Sequence, residues 1–81
     1  MIEKGVYRHY KGKEYEVLDV AIHSETDEVL VAYKPLYDCV GLKDKFGLRP
    51  MFVRPLDMFL ETVAVNGKTI KRFEYIKGIT S

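Results

Sequence analysis

Apolar and polar positions alternate in short runs along this chain, and no run keeps helical spacing for ten residues or more. Alternation sends successive side chains to opposite faces of a strand. Gly5 to Tyr10 predicts a first strand, with Tyr7 and His9 on one face and Val6, Arg8 and Tyr10 on the other. Lys11-Gly12-Lys13 supplies its turn. Tyr15 to Ile22 is rich in β-branched residues and free of Pro and Gly, so it predicts a long second strand. Its apolar phase shifts midway. Tyr15 and Val17 share one face, and Leu18, Val20 and Ile22 share the other, as a bulge near Asp19 or burial of both faces would produce.

His23-Ser24-Glu25-Thr26-Asp27 is a polar break whose side chains favour turns. Glu28 to Tyr33, extending toward Tyr37, predicts a third strand. Its unbroken Val29-Leu30-Val31-Ala32 run marks it as a central strand covered on both faces, with Pro35 at its end or at an edge. Asp38 to Pro50 is irregular and predicts a long loop. Met51 to Arg54 predicts a fourth strand, and Pro55 to Phe59 a helical turn opened by proline. Leu60 to Val65 and Thr69 to Ile76 predict strands five and six, joined by Asn66-Gly67, a strong type I′ hairpin signal. Lys77 to Ser81 reads as a loose tail. Six short antiparallel strands with one helical turn make an all-β barrel or roll, in which closure removes exposed edges.

The chain has 81 residues, enough for one domain spanning 1–81. A chain this short buries only about 60–65% of its unfolded surface, so one core takes most of the apolar side chains. At 47% hydrophobic and 31% charged, the composition is that of a folded globular domain and not of a disordered segment. The net charge of +1 lacks the basic excess of a dedicated duplex-binding protein, although a local patch is compatible with it. The one cysteine, Cys39, has no internal disulfide partner. No apolar run approaches the ~20 residues that span a membrane, and Met1-Ile2-Glu3-Lys4-Gly5 has no signal core. A cytoplasmic protein is expected, with no membrane partner.

Gly5-Val6-Tyr7-Arg8-His9-Tyr10-Lys11-Gly12, Tyr15-Glu16-Val17-Leu18, His23-Ser24-Glu25-Thr26, Tyr33 with Leu36-Tyr37, and Val53-Arg54-Pro55-Leu56-Asp57-Met58-Phe59-Leu60-Glu61 occur in that order. Together they resemble the bacterial family catalogued as domain of unknown function 1653, over nearly the whole chain from Gly5 to about Phe73. The resemblance implies an SH3-like β-barrel and supplies no reaction. Two features depart from the family pattern. Phe52 stands where members carry Trp before Val-Arg-Pro, and the loop from Asp38 to Met51 is longer.

Several residues carry possible chemistry. His9 and His23, with Glu25 or Asp27, contain the donor types of a metal site, yet their spacing matches no compact ligand signature. Each imidazole more simply serves a turn. His23-Ser24-Glu25 has the residue types of a hydrolytic triad, but neighbours in an extended chain point apart. No strained glycine elbow accompanies them, and Ser24 and Thr26 fit backbone-capping roles better. Cys39 lacks the cationic setting that makes a thiolate and suits a small apolar filler. Arg54, fixed beside Pro55, suits bidentate contact with a carboxylate or phosphate. The plainer expectation for it is an internal salt bridge to Glu25, Glu61 or Asp57. The tyrosines combine apolar area with a polar tip. Tyr15 and Tyr33 are expected in the core, whereas Tyr7 and Tyr10 beside Arg8, Lys11 and Lys13 suit a binding face for a single strand of nucleic acid.

These features favour a binding module without a catalytic set or cofactor. It would recognise a peptide, a single-stranded nucleic acid or a small anion through Tyr7, Arg8, His9, Tyr10, His23, Glu25, Tyr37, Arg54 and Met58. One alternative is a small metal-dependent or acid/base enzyme using His9, His23, Glu25 and Arg54. Another is a homodimeric assembly domain.

Overall fold

The structure, a computed structural model, describes residues 2–37 and 50–78. Among these lie seven strands and one helical turn. In chain order they are β1 (Gly5–His9), β2 (Glu14–Ile22), β3 (Val29–Pro35), β4 (Phe52–Pro55), α1 (Leu56–Phe59), β5 (Thr62–Val65), β6 (Lys68–Lys71) and β7 (Phe73–Lys77). Five strands form one antiparallel sheet in the order β4-β3-β2-β1-β7, and β5 pairs with β6 as a separate ribbon.

The phase shift in β2 is a bulge. Val17 lies opposite Tyr33, and the next paired residue is Asp19, opposite Ala32, so Leu18 is the extra residue. Residues directly opposite in an antiparallel pair share a face. Tyr15 and Val17 before the bulge, and Val20 and Ile22 after it, therefore all lie on the face that carries Val31 and Tyr33. The bulge reconciles odd-numbered with even-numbered apolar positions on one side of one strand. In β3 only this face is fully buried. Val31, Tyr33 and Pro35 are buried, and Leu30, Ala32 and Lys34 on the other face are half-covered.

The expected barrel closure is not made. β4 and β7 are the two edges of an open sheet. The helical turn after β4 contributes to the interior instead. Pro55 ends β4 and caps α1 without a side-chain bond, and the single turn drives Phe59 into the core at 1% exposure. Val17, Val31, Tyr7, Tyr33 and Phe73 complete that core, with Ile2, Tyr15, Phe52 and Leu56 packed at its margin. Side chains, rather than a last ladder of backbone bonds, thus seal the interior.

The expected sixth strand from Thr69 to Ile76 is two strands. At Arg72 the chain passes from the ribbon to the main sheet. The Arg72 N–H donates to the Glu61 carbonyl at 3.1 Å, and the Arg72 carbonyl accepts from the Tyr10 N–H at 2.9 Å. One residue therefore ties the start of the ribbon to the end of β1. The expected loose tail also begins later, because Lys77 belongs to β7 and lies opposite Val6. Gly5, at φ +142°, approaches the Lys77 carbonyl so closely that a Cβ there would collide with it. Cys39 and residues 38–49 of the expected loop lie outside the described residues.

Asn66 and Gly67 turn the ribbon at φ 52° and 79°, both left-handed, as a type I′ turn requires. A Cβ at Gly67 meets no atom within 4 Å, so replacement strains only the backbone. Gly67→Ala is expected to lower unfolding free energy by about 1 kcal/mol. Equilibrium urea unfolding checks this, and an unchanged midpoint refutes it. In the core, Phe73→Ala is expected to cost about 3–5 kcal/mol by leaving a cavity among its ring neighbours. The same truncation at the half-buried Phe52 should cost clearly less, by the same measurement.

Candidate functional site

β1 alternation sets the site. Tyr7 and His9 face the concave side, where they lie opposite Tyr75 and Phe73 of β7. Arg8 points the other way and is opposite both Glu14 on β2 and Glu74 on β7. Its guanidinium donates to one Glu14 carboxylate oxygen from Nε at 3.3 Å and from Nη2 at 3.0 Å. The pair is solvent-exposed, so its worth to stability is small, but it does compensate the Arg8 charge.

His9 is half-buried. Its ring meets Phe73 edge-on with centroids 5.0 Å apart and lies 4.6 Å from the tilted Tyr10 ring. Nδ1 accepts the Lys11 backbone N–H at 3.1 Å, which assigns the proton of the neutral imidazole to Nε2. Burial pushes the His9 pKa below its ordinary value, and the positive charges of Arg72, Arg54 and Lys11 push it in the same direction. Lys11 Nζ lies 5.8 Å from the Tyr10 ring centroid. Tyr10, Arg8, His9 and Gly12 form one wall of a groove of about 500 Å³, and Ile70, Lys71 and Glu74 form the other. The groove therefore runs between the β1–β2 turn and the start of the β6–β7 corner.

Arg54 shares the concave face because it lies opposite Val31. The expected salt bridge to Glu25, Glu61 or Asp57 is absent among the described residues. Glu61 instead pairs with Arg72 Nη2 at 2.7 Å. Arg54 Cζ lies 5.6 Å from the Phe73 ring centroid, so the guanidinium meets an aromatic ring where an ion pair was expected.

The other candidates are spread over the molecule. The Tyr7 ring is buried, and its hydroxyl donates to the Glu3 carbonyl at 2.7 Å. Burial raises its pKa, and the Glu3 charge and Tyr75 add to the rise against the opposing backbone bond. Tyr7 also borders a second recess of about 310 Å³ with Ile2, Glu3, Leu60, Lys71, Phe73 and Tyr75. Tyr37 and Tyr15 share a hydroxyl–hydroxyl hydrogen bond of 2.8 Å, with Lys13 Nζ 4.7 Å from the Tyr37 ring centroid. Tyr33 lies in the core and Tyr15 packs against it. Met58 is exposed on α1.

His23 and Glu25 belong to one exposed turn, where His23 Nδ1 accepts the Glu25 N–H at 3.1 Å. His9 and His23 flank opposite ends of β2, whose nine residues extend about 30 Å at ~3.3 Å per residue. No group of three or more His, Cys, Asp or Glu side chains is placed to hold a metal ion among the described residues. No described helix is long and apolar enough to cross a membrane.

Sequence reasoning brought Arg8, His9 and Tyr10 to the groove and missed Gly12, Ile70, Lys71 and Glu74. A lysine-flanked isoleucine on a hairpin looks like an ordinary solvated strand. Only the corner at Arg72 places it opposite the β1–β2 turn.

The fold and groove define a small antiparallel all-β domain with an open, aromatic-filled sheet. The family model described as "Protein of unknown function (DUF1653)" matches residues 5–75, and the chain belongs to this family. It is similar to a crystal structure of a DUF1653 protein from Bordetella bronchiseptica. The identity is 41% over 99% of this chain and 94% of that one, with a TM-score of 0.81. No curated protein matches the chain.

The His9 environment yields a signed prediction. Its folded pKa lies below the 6.5 of a free imidazole, so between those two values the unfolded chain binds more protons. Stability present above about pH 6.5 is lost as pH falls toward the folded value. His9→Phe keeps a ring against Phe73 and Tyr10 but cannot protonate. Melting temperatures measured from neutral pH to about pH 5 should fall less in His9→Phe than in the wild type. Parallel curves would refute the assignment.

Proposed function

We propose that this domain is a non-catalytic recognition module whose groove between the β1–β2 turn and β6 takes a short acidic peptide segment. The observation that carries this reading is the groove itself: Tyr10 lines one side and Ile70 with Lys71 the other, and the neighbouring Lys11 ammonium lies 5.8 Å from the Tyr10 ring centroid. A groove of about 500 Å³ falls within the usual range for a ligand site. Its apolar surfaces can cover side-chain stems while Lys11 and Lys71 receive carboxylates. Arg8, already compensated by Glu14, contributes shape more than charge.

A peptide fits better than a single strand of nucleic acid. Base stacking needs a free aromatic face. The Tyr10 ring already has the His9 ring at 4.6 Å and the Lys11 ammonium at 5.8 Å, so a base would have to displace one of them. The net charge of +1 likewise offers little to a polyanionic backbone.

NMR titration of the full chain with a short Glu-rich peptide tests the reading. Amide shifts should concentrate in 8–12 and 70–74, and Lys71→Glu should weaken binding about tenfold or more. Shifts scattered away from the groove, or tighter binding of oligothymidylate than of the peptide, would overturn it.

A further inference from the structure

We propose that Arg54, Arg72 and His9 form a receptor for one oxyanion group, a carboxylate or a phosphate, beside the Phe73 ring. It is distinct from the peptide groove, because neither arginine lines that groove, and His9 borders both.

Each of the three has donor capacity to spare. Arg54 is half-buried, and its described contact is with the Phe73 ring at 5.6 Å. No carboxylate among the described residues pairs with it. Holding a guanidinium partly out of water without a counter-charge is unfavourable, and a fork of parallel N–H groups matches a planar carboxylate or a phosphate edge. Arg72 gives Nη2 to Glu61, but its Nε is buried and has no hydrogen-bond partner among the described residues. A buried donor left unmatched is a rare feature that calls for a reason. His9 commits Nδ1 to the Lys11 N–H, so its Nε2–H remains to donate.

The three belong together because the sheet order puts them there. β7 brings Phe73 against β1 and hence against His9, whose ring is 5.0 Å away. Arg72 lies at the corner just before β7, β4 delivers Arg54 over the Phe73 ring, and the charges of both arginines reach His9. Of the two guanidinium groups only that of Arg72 meets a carboxylate, Glu61, so among the described residues the charge of Arg54 is left unpaired. Burial is the largest cause of the depressed His9 pKa, and the charges of Arg72 and Arg54 add to it. An oxyanion would cancel the Arg54 charge in a partly dry setting, where charge-assisted bonds are strongest.

The test uses the intact protein at constant ionic strength, titrated with inorganic phosphate and, separately, with acetate. The expected result is a saturable shift of the His9 ring signals and of the Arg54 and Arg72 Nε–H signals. The bound anion should also raise the His9 pKa, because it favours the imidazolium. Arg54→Gln should weaken binding about tenfold or more. Arg54→Lys, which keeps the charge but not the fork, should fall between. If acetate saturates as tightly as phosphate, the site takes carboxylates; if phosphate is tighter, it takes phosphoryl groups. Shifts that rise without saturating for both anions, with the His9 titration unmoved in the wild type, would overturn the proposal even if the Arg54 variants failed to fold. The groove reading is scored by Lys71→Glu and this one by Arg54→Gln and the arginine Nε–H signals, so failure of one is separable from failure of the other.

Discussion

The structure depends on how the Phe73 ring is surrounded. Phe59 stacks on it with centroids 4.2 Å apart and planes within 6°. Tyr15, Tyr33 and His9 meet it near-perpendicularly at 5.7, 5.8 and 5.0 Å. These rings come from α1, β2, β3 and β1, so one side chain at the start of an edge strand joins most of the domain. Aromatic edges presented to aromatic faces add to the gain from burial alone. The arrangement lets a small chain without tryptophan fill its interior while the sheet stays open. The helical turn that follows β4 supplies Phe59 to it.

Chemistry at the surface inherits this geometry. His9 is held off its ordinary titration because it is pressed against Phe73 and stands near two arginines. Arg54 lies over the same ring because β4 pairs with β3 in the register that puts it opposite Val31. Packing and charge are not separate layers here. The ring that organises the core also holds Arg54 against it.

Much of the fold was legible in the sequence because its signals are local. Alternation located the strands, Pro55 located the helical turn, and Asn66-Gly67 located the hairpin. The phase shift in β2 announced the bulge at Leu18. What the sequence concealed is long-range. The alternation slips between Ile70 and Phe73, where Lys71 and Arg72 are both polar, but such a slip marks a bulge as readily as a change of partners at Arg72. Whether two edge strands meet depends on what fills the space between them, which no short window contains. The same limit governed the site. Charge type alone led to a salt bridge for Arg54, while its actual neighbour, Phe73, is brought near only by the order β4-β3-β2-β1-β7 together with the curvature of the sheet.

That limit also bears on which residues can act together. His9, His23, Glu25 and Arg54 have the right types for acid/base or metal chemistry, and chemistry of that kind requires reacting groups within hydrogen-bonding reach. The nine residues of β2 instead separate the turn beside His9 from the turn that holds His23 and Glu25. Arg54 keeps company with His9, and both are donors: one permanently charged, the other neutral with its Nε2 proton outward. Two donors and a third unmatched one on Arg72 make a poor proton relay, because no acceptor among them can take a proton from a substrate. They make a good receptor for something that arrives already anionic. Around Phe73 the donors of Arg54, Arg72 and His9 outnumber the one carboxylate, Glu61, that meets any of them among the described residues.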